Sequence, residues 1–381
     1  MTEPVLEPGA TVGVLGAGQL GAMFAVTARR LGYRVAVWDP DAEAPAHRLA
    51  DYSIPKPFAD AEARADFTRQ VKAVTFEWEN VPSDLCARLE QELPVRPSSA
   101  VLRIIQDRIE QKTFLQKQGL AVPRFYIVSN PEELGRDEAL GLPLICKTAR
   151  SGYDGKGQWT VMGAGELASA QAALTAAAQP GTRWIAEELL RFEREVSVLV
   201  VRGADGAICT YPLVENVHEA GILRRTTVPA AVPSAVADRA VDLAARAVVA
   251  LDGVGVFCVE LFVMADGRVL INEVAPRPHN SGHYTLDACT VSQFEQQVRV
   301  LCGLPLGEVR VLSPAVMINL IGSEIDAVTG KGNLFQVPGA AVHLYGKRTV
   351  RPRRKMGHVT FLAPTSREAQ ARADAFCSLL R

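Results

Sequence analysis

Charge of one sign is missing from this sequence: 41 basic residues face 42 acidic ones, and the isoelectric point lies near 6.6. No global field therefore draws nucleic acid or an anionic membrane surface, and any anion binding has to be local. Long hydrophobic runs are also missing. No uninterrupted apolar stretch reaches the roughly 18 residues that would span a bilayer. The first ten residues are acidic and proline-bearing, without the basic start and apolar core of a secretory signal. A soluble, cytoplasmic protein with neither membrane nor nucleic-acid partners is expected. Cysteine is sparse: Cys86, Cys146, Cys209, Cys258, Cys289, Cys302 and Cys377 are scattered, odd in number and free of any C-x-x-C spacing. This excludes a disulfide framework and a cysteine zinc site, and leaves small buried hydrophobes. Internal repeats and low-complexity tracts are absent as well.

What is present begins with length. A chain of 381 residues exceeds one core, so two to three domains are expected. The most informative segment is Val254-Gly-Val-Phe-Cys-Val-Glu-Leu-Phe-Val-Met264, followed by Ala265-Asp-Gly-Arg268 and Val269-Leu-Ile-Asn-Glu-Val274. Asp-Gly between β-branched and aromatic residues signals a hairpin. With Asp266 and Gly267 as a two-residue loop, Glu260 falls opposite Glu273 on one face, their carboxylates roughly 5 Å apart. Two full charges at that distance repel by roughly 3 kcal/mol at an effective dielectric near 20. The pair must share a proton or a cation, and hard oxygen ligands beside phosphates suit magnesium, with manganese as an alternative.

Nearer the start, Thr11-Val-Gly-Val-Leu15 runs into Gly16-Ala-Gly-Gln-Leu-Gly21, a helix follows to Gly32, and Arg34-Val-Ala-Val-Trp38 ends at Asp39. The glycine spacing and the acid after the second strand fit a dinucleotide site, and fit equally a tight turn with close helix packing. A third strand over 71–82 places Glu77, Glu79 and Asn80 at its carboxyl end, where open α/β sheets bind ligands. One helix is predicted over 99–118, carrying Asp107, Arg108 and Lys112. Lys147 closes an apolar strand and is followed by Ala149-Arg-Ser-Gly-Tyr-Asp-Gly-Lys-Gly-Gln158, a stretch that cannot pack a core but could fold its amides over phosphates. It lacks the spacing of a Walker A loop. A strand Trp184-Ile-Ala-Glu-Glu-Leu-Leu190, a strand opening at Glu195, an amphipathic helix over 235–251 and a cationic run, Lys347-Arg-Thr-Val-Arg-Pro-Arg-Arg-Lys355, complete the pattern.

Taken in order, a glycine-rich βαβ unit, a strand-end lysine, a glycine lid, a Glu-Glu strand and a Glu…Asn-Glu hairpin resemble the ATP-grasp superfamily. Within it, four stretches resemble the 5-(carboxyamino)imidazole ribonucleotide synthase family: Gly16–Gly21, Thr75-Phe-Glu-Trp-Glu-Asn-Val81, Ser151–Gln158 and Ala275-Pro-Arg-Pro-His-Asn-Ser-Gly-His-Tyr284. The resemblance implies an α/β chain, α+β overall, with a Rossmann-like domain over 1–98, an ATP-grasp domain over 99–310 (a small lid part at 120–186, a large part at 187–310) and a small β-rich domain over 311–381. It implies ATP and Mg2+ as cofactors, aminoimidazole ribonucleotide and bicarbonate as substrates, carboxyphosphate as intermediate, and a homodimer.

By the same resemblance, Arg108 and Lys147 hold phosphates under a lid of Gly152, Tyr153, Asp154, Gly155, Lys156, Gly157 and Gln158. Glu187, Glu188, Leu189 and Leu190 receive adenine, Glu195 the ribose, and His218 lies nearby. Glu260 and Glu273 hold the metal, with Asn272 beside them. Tyr153, Asp154, Arg277 and Lys347 are the implied catalytic residues. Gly18, Gln19, Leu20, Glu77, Asn80, His279, Asn280, Ser281, Lys347, Arg354 and Lys355 are the implied substrate contacts. Two departures stand out: Ala22 where the family carries arginine, and Arg353 where it carries glycine, neither expected to touch the nucleotide site. Three rival readings remain open on sequence: an NAD-dependent dehydrogenase built on Gly16, Gly18, Gly21 and Asp39, a formate-dependent transformylase with the same nucleotide machinery, and a nucleotide-binding regulator.

Overall fold

The computed structural model describes residues 5–150, 152, 155–326 and 337–380. A four-stranded parallel sheet opens the chain in the order β3-β2-β1-β4, formed by β1 (Thr11–Leu15), β2 (Arg34–Trp38), β3 (Tyr52–Ile54) and β4 (Ala73–Phe76). All five residues of β1 are buried, as a parallel strand covered on both faces requires. The helices are α1 (Gln19–Arg30), α2 (Ala61–Gln70) and α3 (Ser83–Leu89). The expected βαβ unit is present. Strand β3 has too few apolar residues to announce itself, and the strand expected over 71–82 is confined to Ala73–Phe76. Ala22 sits on α1 and packs against the first core.

The single helix expected over 99–118 is two, α4 (Ser99–Ile105) and α5 (Arg108–Lys117). Asp107 breaks it: its carboxylate caps α5 by accepting from Ile109 N at 3.0 Å and also accepts from Arg150 Nε at 3.0 Å and Arg183 Nη2 at 2.9 Å. An aspartate that caps a helix stabilises an extended backbone at its own position, so the break is encoded by one residue.

Next come β5 (Phe125–Val128), β6 (Leu144–Thr148), β7 (Gln158–Val161), α6 (Leu167–Ala177) and β8 (Trp184–Glu188), whose strands form an antiparallel sheet in the order β5-β8-β6-β7. The remaining strands are β9 (Arg194–Arg202), β10 (Ile208–Thr210), β11 (Val214–Glu219), β12 (Ile222–Val228), β13 (Gly255–Val263), β14 (Val269–Ala275), β15 (Ala315–Ile321), β16 (Ala340–Leu344) and β17 (Lys355–Leu362). They form one nine-stranded sheet, β14-β13-β9-β11-β12-β15-β17-β16 with β10 added on β9. The C-terminal strands thus continue the central sheet through β12 and β15. Helix α7 (Ser234–Ala250) covers one face with Leu243, Ala247 and Val248 against Val198, Phe257 and Ile271. The other face carries Leu199, Val256 and Cys258 against Tyr284. Burial on both sides explains the nearly unbroken apolar run of β13.

The short α8 (Thr285–Ala288) and α9 (Gln293–Leu301) follow the hairpin, and α10 (Ser366–Leu379) closes the described chain against β15 and β17. Phe294 and Val298 of α9 pack into the core of the first sheet, beside Val12, Phe24 and Ala73. A helix remote in sequence therefore completes the N-terminal core. Phe294→Ala should cost about 3–5 kcal/mol and lower the melting of the whole chain in one transition. A variant in which the N-terminal part melts alone, earlier than the rest, would show that the shared core does not couple them.

Candidate active site

The hairpin delivers the expected pair by a different route. Val263 pairs with Val269 and Leu261 with Ile271, so the loop is Ala265-Asp266-Gly267, three residues rather than two, with Gly267 left-handed at φ 78. Met264 N closes the loop by donating to Arg268 O at 2.9 Å. A register shift between Glu260 and Leu261 then leaves Asn272 as an extra residue, and the ladder resumes with Glu260 opposite Glu273. A bulge re-aims side chains in this way at functional sites. Both carboxylates line a cleft of about 630 Å3 between the second and third sheets, closed at one end by the first sheet.

Charge around the pair is arranged unevenly. Burial and the facing Glu273 push Glu260 upward. Burial acts the same way on Glu273, but the Arg108 guanidinium bonded to it outweighs this and holds it below the carboxylate range. His279 Nε2 stands 3.2 Å from Glu260 Oε1, while its Nδ1 accepts from Ser281 N at 3.3 Å. Burial and the Arg277 and Lys355 charges lower His279 to about 3, so it faces Glu260 as a neutral donor.

On the opposite wall Lys147 Nζ donates to Glu187 Oε2 at 3.0 Å, and Lys112 Nζ lies 3.5 Å from the same oxygen. All three side chains are nearly fully buried. Burial lowers Lys112 to about 8 against the pull of Glu187. The Glu187 side chain is thus an anchor for two lysines, and what it can offer the cleft is its backbone. Arg108 bridges the walls, donating to Glu273 and, at 2.9 Å, to Gly152 O. Glu188 receives Arg124 N at 2.8 Å, and Glu188, Leu189 and Leu190 line the cleft. His218 is bonded to Glu195; burial lowers it, but that bond and the Glu260 and Glu195 charges prevail and raise it. Gly155 and Gln158 line the cleft, Gly157 O accepts from Thr148 N at 2.9 Å, and Lys156 is exposed. Tyr153 and Asp154 lie outside the described residues.

The third wall joins β4 to the loop after β14. Arg277 is bonded to Glu79, and Gln106 Nε2 clamps the backbone by donating to Glu79 O at 2.7 Å and Val81 O at 2.6 Å. Gln19, Leu20, Asn80, His279, Asn280 and Lys355 face the same space. Several expectations change here. Ser281 is buried behind the cleft, its hydroxyl 2.9 Å from Ser197 Oγ, because the turn after His279 points it inward. Lys347 Nζ donates to Lys355 O at 2.8 Å and Arg354 Nη1 to Thr349 O at 2.9 Å, so these two brace the loop that presents Lys355. Arg353 does reach the border of the cleft, donating to Ala220 O at 2.9 Å.

Glu77 changes most. It is buried, and its two oxygens accept from Gly18 N and, at 2.7 Å, from Gly21 N. Asp39 Oδ2 accepts from Ala17 N at 2.8 Å. The turn that would cradle a dinucleotide pyrophosphate at a helix N-terminus is filled by the chain's own carboxylates. A Cβ at Gly16, left-handed at φ 99, would collide with Glu77. This geometry removes the dehydrogenase reading.

Sequence reasoning missed Phe192 and Phe262, whose rings stack at 4.6 Å and 12° on the cleft wall. Phe262 was findable, since it follows Glu260 by two residues on the same strand face. Phe192 sits in a loop with no periodicity. A separate group, Asp287, His343 and His358, brings ligand-type atoms within 4.8 Å of one another. Its two imidazoles stack at 4.5 Å and 12°, so their lone pairs lie in separate, nearly parallel planes and do not converge on one ion.

The chain matches three family models: an ATP-grasp domain over residues 113–294, a ribonucleotide synthetase preATP-grasp domain over 9–106 and a phosphoribosylaminoimidazole carboxylase C-terminal domain over 315–372. It is similar to the N5-carboxyaminoimidazole ribonucleotide synthase of Bacillus subtilis, 41% identical over 363 residues, 95% of this chain and 94% of that protein. The enzyme of the same name from Brucella melitensis is 41% identical over 365 residues, 96% and 99% of the two chains. Among solved structures, N5-carboxyaminoimidazole synthetase from Staphylococcus aureus complexed with ADP superposes with a TM-score of 0.91 at 32% identity, covering 99% of each chain. The Aspergillus clavatus synthase in complex with ADP and 5-aminoimidazole ribonucleotide gives 0.89 at 33%, covering 98% of this chain and 99% of that one.

Glu77→Gln places an amide donor against a backbone donor and should cost about 1–3 kcal/mol in urea unfolding. An unchanged midpoint would show that the glycine turn holds its shape without the carboxylate.

Proposed function

The chain belongs to the N5-carboxyaminoimidazole ribonucleotide synthase family, and on that premise we propose that the cleft carries out ATP-dependent carboxylation of the exocyclic amine of 5-aminoimidazole ribonucleotide, with bicarbonate as the carbon source. The observation that carries this is the Glu260–Glu273 pair, set in one cleft with Arg108 and Lys147 on one side and Arg277 and Lys355 on the other. Two anions, a nucleoside triphosphate and a ribonucleotide monophosphate, each find a cationic wall, with the carboxylate pair between them.

ATP lies with its phosphates toward Arg108 and Lys147, which Glu187 and Glu273 hold in place. Adenine takes the strand edge at Glu188, Leu189 and Leu190 and the apolar wall of Phe262, and Glu195 accepts from the ribose hydroxyls. The donor set of Glu260, Glu273 and the Asn272 amide oxygen fits magnesium or manganese: all are hard oxygens, and the pair carries negative charge in excess of its immediate cations. A bound divalent ion would neutralise charge on the terminal phosphates there.

Bicarbonate is a poor electrophile. Attack of its oxygen on the γ-phosphorus releases ADP and forms carboxyphosphate, whose carbon then has phosphate as leaving group. The ribonucleotide amine adds to that carbon, or to carbon dioxide released from it, loses a proton and becomes the carbamate; phosphate departs. Arg277, held by Glu79, and Lys355 offset the charge of the two anions as they approach, the kind of preorganised electrostatic contribution that dominates phosphoryl and acyl transfer. Asp154 remains the expected base for the amine and Tyr153 its neighbour. The ribonucleotide's 5′-phosphate takes Lys355 and the segment His279–Asn280. The homodimer expected from the resemblance and the cytoplasmic location expected from composition are kept as part of this reading; among the described residues no helix is long and apolar enough to cross a membrane.

Phosphate release from ATP tests the reading. Turnover should require 5-aminoimidazole ribonucleotide and bicarbonate together and stop on chelation of divalent ions. Glu273→Gln should lower it on the order of a hundredfold. Turnover indifferent to the ribonucleotide would remove the substrate assignment, and formate in place of bicarbonate would point to the transformylase reaction.

A further inference from the structure

Among the described residues, three non-glycine residues have left-handed backbone: Ala220 at φ 50, Asp252 at φ 48 and Arg353 at φ 67. Two of them touch. Arg353 Nη2 donates to Ala220 O at 2.9 Å, across 133 residues of chain. Strained backbone persists only where its surroundings impose it, and it gathers at sites with a task.

Each partner sits in a tight turn whose geometry asks for glycine. Arg354 N donates to Arg351 O at 3.1 Å, closing a four-residue turn with Pro352 second and Arg353 third, the position that needs a positive φ. Glu219 pairs with Ile222 across the two-residue loop Ala220-Gly221 between β11 and β12, both loop residues left-handed, the hairpin turn in which glycine or asparagine is normal. Arginine at the first turn and alanine at the second both forgo that ease. The arginine gains a hydrogen bond that glycine cannot make.

The contact lies where three stretches of the cleft wall converge. Gly221 lines the cleft, Lys355 lines it two residues beyond Arg353, and Gly155 of the glycine-rich arm lines it too. A Cβ built at Gly155 would stand 3.3 Å from Gly221 Cα, 3.4 Å from Ala220 O and 3.9 Å from Arg353 Nη2. The arm therefore rests on the very turn that Arg353 holds, and the turn's strand carries His218 beside Glu195.

We propose that Arg353 is a positioning residue that couples the two substrate walls: it ties the loop presenting Lys355 to the Ala220-Gly221 turn backing the glycine-rich arm, so that occupancy of the ribonucleotide side favours the nucleotide-binding arrangement on the other. The inference rests on the assignment of the ribonucleotide to the Lys355 wall. Coupling of this kind is reciprocal between ligands.

The experiment is ADP binding, by calorimetry, with and without saturating 5-aminoimidazole ribonucleotide, on the full chain. In the unsubstituted protein the ribonucleotide should tighten ADP. Arg353→Gly and Arg353→Ala should lose that tightening by roughly five- to tenfold, the lower end of the coupling usual between two ligand sites, while ADP affinity without the ribonucleotide stays the same. Arg353→Lys should keep most of it. Arg353→Gly should also melt no lower than the unsubstituted protein, because it relieves a left-handed arginine. An unchanged coupling ratio in both variants overturns the proposal, as does an equal loss of ADP affinity with and without the ribonucleotide, which would mark a merely structural contact. Ribonucleotide that binds nowhere on the unsubstituted protein would instead sink the substrate reading on which the inference rests.

Discussion

Two carboxylates facing each other across an antiparallel pair, with their surroundings closed to bulk water on most sides, dictate how this cleft is furnished. Glu260 and Glu273 repel, and each is answered differently: Glu273 by the Arg108 guanidinium, Glu260 by a neutral imidazole donor from His279. The asymmetry pushes one acid up and the other down, the usual outcome when two like charges share a site. The same logic recurs a few ångströms away, where Glu187 is shared by Lys147 and Lys112, and again where Glu79 holds Arg277. Buried and half-buried charges of both signs alternate around the space. Arg108, Lys112, Lys147 and Arg277 are each fixed by a carboxylate, so a polyanionic ligand meets aligned positive groups without having to order them.

The architecture makes that arrangement possible by bringing distant segments to one place. The nine-stranded sheet runs unbroken from the carboxylate hairpin into the C-terminal strands, so Lys355 at the start of β17 reaches the same cleft as Glu260 on β13. Helix α9 carries Phe294 into the N-terminal core and anchors β4, whose carboxyl end supplies Glu79 and Asn80. Three units with separate local folds share walls and packing. Gly155 and Gln158 of the glycine-rich arm line the cleft beside these sheets.

Much of this was legible. The apolar strand, glycine turn and second strand of the N-terminal unit follow from local pattern, whereas the role expected of Arg108 came from the family resemblance. The glutamate pair was legible for an incomplete reason: the loop has three residues and the bulge at Asn272 restores the alignment, two compensating features that no pattern of alternation displays. Glu77 and Asp39 illustrate the opposite limit. Sequence places them at strand ends, where ligands bind, but whether such a carboxylate faces a ligand or its own glycine turn depends on the path of the backbone in space. The same holds for Ser281, whose hydroxyl meets Ser197, and for Lys347, which donates to Lys355 O: the path of a turn sets both, and no sequence pattern displays it. Phe192 carried no signal at all.

Glu260 and Glu273, on the function proposed above, act together to hold a divalent ion against the nucleotide. Electron paramagnetic resonance of Mn2+ titrated into the protein with ADP measures this directly. Tight binding should appear only with nucleotide present, and Glu260→Gln should weaken it roughly tenfold or more while leaving the fold intact. An ion bound as tightly by the Glu260→Gln protein as by the unsubstituted one would contradict the account.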